Sequence, residues 1–262
     1  MQNENDLPEF KVVTVANQKG GVGKTASVVQ IASGLAKRGE RVLMIDGDPQ
    51  GNLTLFFGDK EKKDFSALIR ALTEPSPHIA VTDFINRNVR RYLDIIPACN
   101  RNFRIEIPET DVMKAMQPFD AFITKLRPHY SWIFIDSSPA NSYLERLLIR
   151  ASDAVIIPLE FQLFSVSGLE AILDEVAQCS REANKQIRIH SLIFTKAENR
   201  LNRVQTYREV FSSFHIPIYE ICKSEYVTRS LEKSRTIWEC GPASYAARDY
   251  KRIIEKGFPE RA

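Results

Sequence analysis

Short apolar runs alternate with amphipathic segments along most of the chain. The first run, FKVVTVA at residues 10–16, is β-branched, and residues 25–37 then repeat apolar positions at helical spacing. Gly39 is expected to end that helix, and a second apolar run follows at residues 41–45. Similar runs predict further strands at residues 92–96, 132–135, 154–157, 187–194 and 216–218. Helical patterns lie at residues 110–126, 142–150, 166–181, 203–214 and 244–256.

This alternation predicts the fold class. Strands that read as continuous apolar runs between helices are typical of a parallel sheet that is covered on both faces. With right-handed crossovers, the prediction is a doubly wound α/β fold, mostly parallel, with helices on both faces. We expect a single domain over residues 1–262 with a flexible amino terminus at 1–9, and helices and loops at the rim of the sheet over 58–91.

Composition is typical of a soluble globular protein and argues against membrane-spanning, disulfide-rich and zinc or iron–sulfur proteins. The 262 residues are 44% hydrophobic and 26% charged, which is typical of a soluble globular domain. There is no run of 18 apolar residues and no signal peptide pattern, so a cytoplasmic protein is expected. The four cysteines lie far apart without a C-x-x-C pair, which argues against a disulfide framework, structural zinc or an iron–sulfur cluster.

Charge is distributed unevenly. The net charge is +3, but residues 181–262 hold 16 Lys and Arg against 10 Asp and Glu, a surplus of +6. A basic carboxyl-terminal third favours a polyanionic partner, although a solvated surface of mixed charge would have the same composition.

The strongest chemical signal is NQKGGVGKT at residues 17–25, between the first strand and the first helix. Such a glycine-rich turn cradles phosphate oxygens with its N–H groups at a helix amino terminus. Lys24 is predicted to neutralise the β- and γ-phosphates, and the Thr25 hydroxyl to ligate magnesium. The usual phosphate-loop pattern has glycine where this chain has Gln18, and Lys19 adds a second lysine.

Carboxylates close two other predicted strands. Asp46 and Asp48 follow the second strand in DGDPQ, and Asp136 ends the strand WIFID. In a parallel sheet these strand ends face the ligand crevice, where a nucleotide's magnesium and an attacking water are held. Asp136 is predicted to reach the magnesium, as the Walker B aspartate does.

NQKGGVGKT, IDGDPQGNLT and FIDSSPA together resemble the ParA/MinD superfamily of deviant Walker A ATPases, and most closely its Soj-like ParA partition proteins. The resemblance implies an ATP- and magnesium-dependent ATPase with weak intrinsic activity. It implies that Lys19 contacts the nucleotide of a partner subunit in an ATP-sandwich dimer, that Asp48 orients the hydrolytic water, and that Asp46 lies near the magnesium. The implied nucleotide-binding residues are Gly20, Gly21, Val22, Gly23, Lys24, Thr25 and Ala26, with Thr195 beside the adenine.

The resemblance also implies non-specific binding to double-stranded DNA, release on hydrolysis and a ParB-like activator. Only nine residues precede the first strand, so no amino-terminal helix-turn-helix is expected. A MinD-like or other positioning ATPase on a membrane or protein assembly is the alternative, although the apolar stripe of the last helix is better explained by core packing. The expected DNA contacts are Arg200, Arg203, Lys223, Arg229, Lys233, Arg235, Lys251 and Arg252.

Overall fold

An eight-stranded sheet organises the chain. The computed structural model describes residues 10–58, 63–74, 79–98, 107–139, 143–160, 165–197 and 209–260. Within them the strands are β1 (Val12–Val15), β2 (Val42–Asp46), β3 (Asn86–Arg90), β4 (Leu93–Ile96), β5 (Trp132–Asp136), β6 (Ala154–Leu159), β7 (Arg188–Ala197) and β8 (Ile218–Cys222). Their order is β3-β4-β2-β5-β1-β6-β7-β8, and every neighbouring pair is parallel except β3 with β4.

Helices connect the strands. They are α1 (Lys24–Lys37), α2 (Asn52–Phe57), α3 (Phe65–Leu72), α4 (Glu109–Leu126), α5 (Tyr143–Ala151), α6 (Ser165–Ala183), α7 (Glu225–Glu232), α8 (Ile237–Cys240) and α9 (Tyr245–Gly257). Short 3-10 turns cover Val81–Asp83 and Arg127–His129, and residues 209–212 are also helical. As expected, α1 ends just before Gly39, whose φ is +97°.

Successive strand residues point to opposite faces of the sheet, and helices cover both faces. On β1, Val13 and Val15 pack with α1 and α9, whereas Val12 packs with α3, α4 and α5 on the other side. The doubly wound, mostly parallel α/β fold predicted from the sequence is therefore confirmed. The single-domain organisation stays a prediction.

The region over 58–91 differs from the prediction. It contains α3, but it also contains β3, which turns back at Tyr92 to pair antiparallel with β4. The sequence NRNVR has no apolar run, because an edge strand needs few apolar side chains. The other strands fall near the predicted ranges. The last one lies at Ile218–Cys222 rather than 216–218. The first half of the predicted helix 203–214 lies outside the described residues, and 209–212 are helical.

The apolar stripe of α9 packs into the core. Ala246, Ala247, Tyr250 and Ile253 are buried, and Phe258 beyond the helix is fully buried against Trp132. Ala243, which lies before the helix begins, is exposed. Among the described residues, no helix has both the length and the apolar character needed to cross a membrane.

Two residues of α1, Gln30 and Gly34, contact the carboxyl-terminal helices closely. Gln30 is fully buried, and its side chain donates to Ser230 Oγ (2.7 Å) and accepts from the backbone N–H of Ile237 (2.8 Å). At Gly34 a Cβ would lie 2.3 Å from Ile254 Cδ1 and 2.8 Å from Trp238 Cζ2. Glycine at this position therefore permits α9 and α8 to approach the helix backbone.

We expect Gly34→Ala to lower the free energy of unfolding by about 1–3 kcal/mol, because the added methyl overpacks this contact. The matched change is Gly168→Ala on α6, where a Cβ would meet nothing within 4 Å. That variant should be neutral or gain about 0.5–1 kcal/mol, since alanine is the better helix former. Urea unfolding of both variants measures the difference. Equal stability of the two would contradict the close approach at α1.

Candidate functional site

The three predicted motifs meet at one edge of the sheet. The strands β2, β5 and β1 are neighbours, and their carboxyl ends lie side by side. Asp46 is paired in register with Asp136, and the Gly47 N–H donates to the Asp136 carbonyl (2.9 Å). The loop at residues 16–23 follows β1 and leads directly into α1. Both carboxylates therefore lie beside the amino terminus of that helix.

The glycine-rich loop is shaped by left-handed backbone and by one buried amide. Gly21 and Gly23 have φ values of +75° and +90°, a region that disfavours residues with a Cβ. Asn17 is 4% exposed, and its Nδ2 donates to the Pro158 carbonyl (2.6 Å) while its Oδ1 accepts from the Lys19 N–H (2.8 Å). Asn17 thus ties the start of the loop to β6.

Lys24 lies in the first turn of α1 and points back under the loop. Its Nζ donates to the carbonyls of Asn17 (3.0 Å) and Lys19 (3.1 Å). Burial lowers the pKa of Lys24, and the nearby charges of Asp136 and Asp48 oppose that shift. The ammonium is therefore held by loop carbonyls at a site where anionic oxygens would replace them as stronger partners.

Thr25 and Asp136 offer hard oxygen donors together. The Thr25 hydroxyl donates to Asp136 Oδ2 (2.7 Å), and the other carboxyl oxygen, Oδ1, is buried without a hydrogen-bond partner among the described residues. An orphaned carboxylate oxygen beside a hydroxyl is a donor set that suits Mg²⁺. A magnesium ion at this point would satisfy the buried atom, so the residues present fit the metal.

Asp46 is held by Thr54 rather than by a cation. Its Oδ2 accepts from the Thr54 hydroxyl (2.6 Å) and backbone N–H (2.7 Å), and its Oδ1 accepts from the Asp48 N–H (3.3 Å). The Asp48 carboxylate, 6% exposed, accepts from the Gln50 N–H (2.9 Å). These bonds fix the turn after β2 and hold Asp48 beside Asp46.

The pKa values of both in-register carboxyls are raised. Burial, and secondarily the Asp48 charge, raise the pKa of Asp46 to about 7 against the lowering effect of its Thr54 bonds. Burial and then the Asp46 charge raise the pKa of Asp136 well above its usual range. The Lys24 charge opposes the shift of Asp136 as the smallest of its causes, so a bound cation would favour the ionised form of this carboxyl.

The chain is similar to proteins of a known family. The family model described as an AAA domain matches residues 10–189. The Soj sporulation initiation inhibitor protein of Bacillus subtilis is 30% identical over 80% of this chain and 82% of its own. The chain belongs to the ParA/MinD superfamily and is ParA-like.

Solved structures show the same fold. The ATP complex of Cyanothece McdA superposes with a TM-score of 0.80 at 20% identity, covering 97% of this chain and 99% of that one. A Borrelia burgdorferi protein assigned to plasmid partition and bound to AMPPNP gives a TM-score of 0.75 at 24% identity, covering 94% and 97%. These similarities show that this chain has the same fold as those proteins.

Thr195, which the ParA resemblance places beside the adenine, contacts the phosphate loop. Its hydroxyl is directed at two carbonyl oxygens, Val22 (2.9 Å) and Leu159 (3.3 Å), and its side chain is 7% exposed. A Cβ on Gly23 would lie 3.1 Å from Thr195 Cγ2. Its observed contacts therefore anchor the loop to β6 and β7, and the adenine contact stays a prediction.

The described basic residues of the expected DNA surface lie on α7, on α9 and in the segments beside α7. Arg229 pairs with Glu225 across one turn of α7 (3.0 Å), and Lys251 pairs with Glu255 on α9 (3.5 Å). Arg200 and Arg203 lie outside the described residues. The exposed members are Lys223, Arg229, Lys233, Arg235, Lys251 and Arg252.

Two residues of the site had no assigned role in the sequence. Asn17 was part of the phosphate-loop motif, and Thr54 closed the segment IDGDPQGNLT. Both act by hydrogen bonds across the chain, Asn17 to Pro158 and Thr54 to Asp46 and to the Ala98 N–H (2.7 Å). Their presence within the ParA-like motifs was the available signal, but spacing does not reveal partners so far away in sequence.

The raised carboxyl pKa values predict a pH dependence in the nucleotide-free protein. When the folded pKa lies above the unfolded value, the native state holds the extra proton, so stability falls as pH rises through the folded pKa. Asp136→Asn removes one of the two coupled groups. The loss of unfolding free energy as the pH rises from about 5 to 7, toward the folded pKa of Asp46, should therefore be smaller in this variant.

Urea unfolding at several pH values, without nucleotide or magnesium, measures this change. Asp174→Asn is the control, because Asp174 is exposed on α6. A slope that Asp136→Asn leaves unaltered would show that the carboxyl is ionised in the folded protein throughout the range.

Proposed function

We propose that this chain is a magnesium-dependent ATPase that converts ATP and water to ADP and phosphate with weak intrinsic activity. The observation that carries the proposal is the meeting of the glycine-rich loop, Asp46 and Asp136 at one sheet edge. The loop N–H groups and Lys24 would hold the phosphates. Thr25 and Asp136 would ligate the magnesium, with Asp46 close to its coordination shell.

Asp48 is the proposed orienting group for the hydrolytic water. It is almost buried, and the bond from the Gln50 N–H fixes one of its oxygens. Thr25 and Asp136 would hold a magnesium ion, which would supply positive charge against the charge that develops on the phosphate oxygens. Phosphoryl transfer without an arginine finger or an activator is slow, which agrees with low intrinsic turnover.

We further propose that ATP joins two copies of the chain in a sandwich dimer. Lys19 lies exposed at the apex of the loop, between the Asn17 anchor and the glycines. Its carbonyl accepts from the Lys24 ammonium (3.1 Å), which fixes the loop backbone at this residue. A lysine in this position can serve the phosphates of a facing subunit.

Lys19→Gln should therefore bind ATP but stay monomeric, because the contact that it removes is made across the dimer. Light scattering with a non-hydrolysable ATP analogue and magnesium measures the oligomeric state. Lys37→Gln, an exposed lysine at the end of α1, is the matched control and should dimerise as the intact protein does. The sandwich model would be contradicted if Lys19→Gln dimerised at the same analogue concentration as the intact protein.

The proposed role of that dimer is DNA partition in the cytoplasm. It would bind double-stranded DNA without sequence preference, associate with the nucleoid and be released on hydrolysis that a ParB-like partner stimulates. The exposed cations of α7, of α9 and of the segments beside them support this role, because phosphate contacts need clustered positive charge. Dimerisation doubles the number of cations facing one duplex.

Replacing Lys223, Arg229 and Arg235 together by Glu should abolish ATP-dependent DNA binding while leaving ATP-driven dimerisation intact. The affinity of the intact protein for DNA should fall steeply as the salt concentration rises and should not depend on the DNA sequence, because the contacts are with phosphates. Co-sedimentation with random-sequence DNA measures the loss, with lipid vesicles as a parallel arm. Lys114→Glu, Lys125→Glu and Arg181→Glu together form the control, since these cations are exposed on α4 and α6.

The outcomes separate two functions. Retention of DNA by the triple variant would move the site, with Arg87, Arg90 and Arg91 as the next candidates. Absence of any ATP-dependent DNA binding by the intact protein would favour the alternative of a MinD-like or other positioning ATPase. Binding to vesicles instead of DNA would identify a membrane as its surface.

A further inference from the structure

Strand β7 contains a β-bulge beside the phosphate loop. In its pairing with β8, Phe194 lies opposite Glu220 and Ala197 opposite Cys222, so three steps along β7 match two along β8. The extra residue falls at Thr195–Lys196, and Lys196 has a φ of +55°. The left-handed region disfavours a lysine, and bulges next to active sites commonly redirect a side chain.

The bulge sends two successive side chains to the same loop. In a regular strand they would point to opposite faces of the sheet. Here the Thr195 hydroxyl lies 2.9 Å from the Val22 carbonyl, and Lys196 Nζ donates to the Gly21 carbonyl (3.1 Å). Two adjacent peptide groups of the glycine-rich loop are therefore held by two adjacent residues of β7.

A residue at the end of a second strand, β6, also binds the lysine. Lys196 Nζ also donates to Glu160 Oε1 (2.6 Å), and Glu160 directly follows β6. The pairing of Leu159 with Phe194 brings these strand ends together. Glu160 is 17% exposed in its side chain, against 58% for Lys196. The ammonium thus joins β6, β7 and the loop at the rim of the nucleotide site.

We propose that Lys196 is a positioning residue of the nucleotide site. In a trans peptide the carbonyl and the following N–H point in opposite directions. Lys196 holds the Gly21 carbonyl toward β7, so the Val22 N–H points away from β7. Thr195 holds the Val22 carbonyl toward β7, so the Gly23 N–H also points away from it. The loop is then arranged to receive phosphate before the nucleotide arrives, so less ordering accompanies binding.

This inference rests on the proposed nucleotide site and is tested by ADP binding, which does not require the dimer. Lys196→Met should raise the dissociation constant of a fluorescent ADP analogue by about threefold to tenfold, because the ammonium's bonds to the Gly21 carbonyl and to Glu160 at a half-exposed site are lost. Lys196→Arg should stay within about twofold of the intact protein, since a guanidinium can donate to both oxygens. Lys114→Met on α4 is the control for removing a surface lysine.

Lys196→Gly distinguishes positioning from a general structural role. Glycine accepts the left-handed backbone, so the melting temperature without nucleotide should hold or rise while ADP binding weakens. A role in stability alone would lower both together. Asn184→Gly is the matched control, because Asn184 also has a positive φ (+48°) and follows α6. It should leave ADP binding unchanged.

Three results would overturn the proposal. Lys196→Met could bind ADP as tightly as the intact protein and Lys114→Met. It could lose single-turnover hydrolysis at saturating ATP with unchanged ADP affinity, which would mean that Lys196 contacts the reacting phosphate. It could change the preference for ATP over GTP, which would mean that the side chain reads the base. Failure of the intact protein to bind any nucleotide would instead refute the proposed function.

Discussion

The structure depends on burying two carboxylates in register on neighbouring strands. Asp46 and Asp136 end β2 and β5, and the parallel pairing places them directly side by side. Two buried like charges are unfavourable, and the raised pKa values of both groups reflect that cost. The adjoining helix amino terminus and Lys24 supply positive charge beside them.

The surroundings of this pair are held rigid by bonds that cross the sheet edge. Thr54 satisfies Asp46, Thr25 bonds to Asp136, and Asn17 ties the loop to Pro158. One carboxylate oxygen of Asp136 is left without a partner within the described part of the chain. A network that is complete except at the point where a ligand would bind is preorganised for that ligand.

Helix α1 physically joins the phosphate loop to the basic carboxyl-terminal segment. Its first residue is Lys24, and one turn and a half later Gln30 bonds to Ser230 and to the Ile237 N–H. Trp238 also donates from its indole N–H to the Gln30 carbonyl (2.9 Å). The segment that carries the exposed cations near α7 therefore packs on the same helix that begins at the phosphate loop. The proposed nucleotide site and the proposed DNA surface are joined through α1.

The sequence by itself determined the alternation of strands and helices, the parallel character of the sheet and the three motifs, because apolar runs and glycine-rich turns are local signals. It did not show β3, whose edge position removes the apolar run. It also did not show the contacts of Asn17 with Pro158, of Thr54 with Ala98 or of Thr195 with Val22 and Leu159, since those contacts span 36 to 173 residues. Only the tertiary structure decided that Asp46 faces Asp136 and that a bulge turns Lys196 onto the loop. Such features follow from which strands become neighbours, and no local pattern encodes that choice.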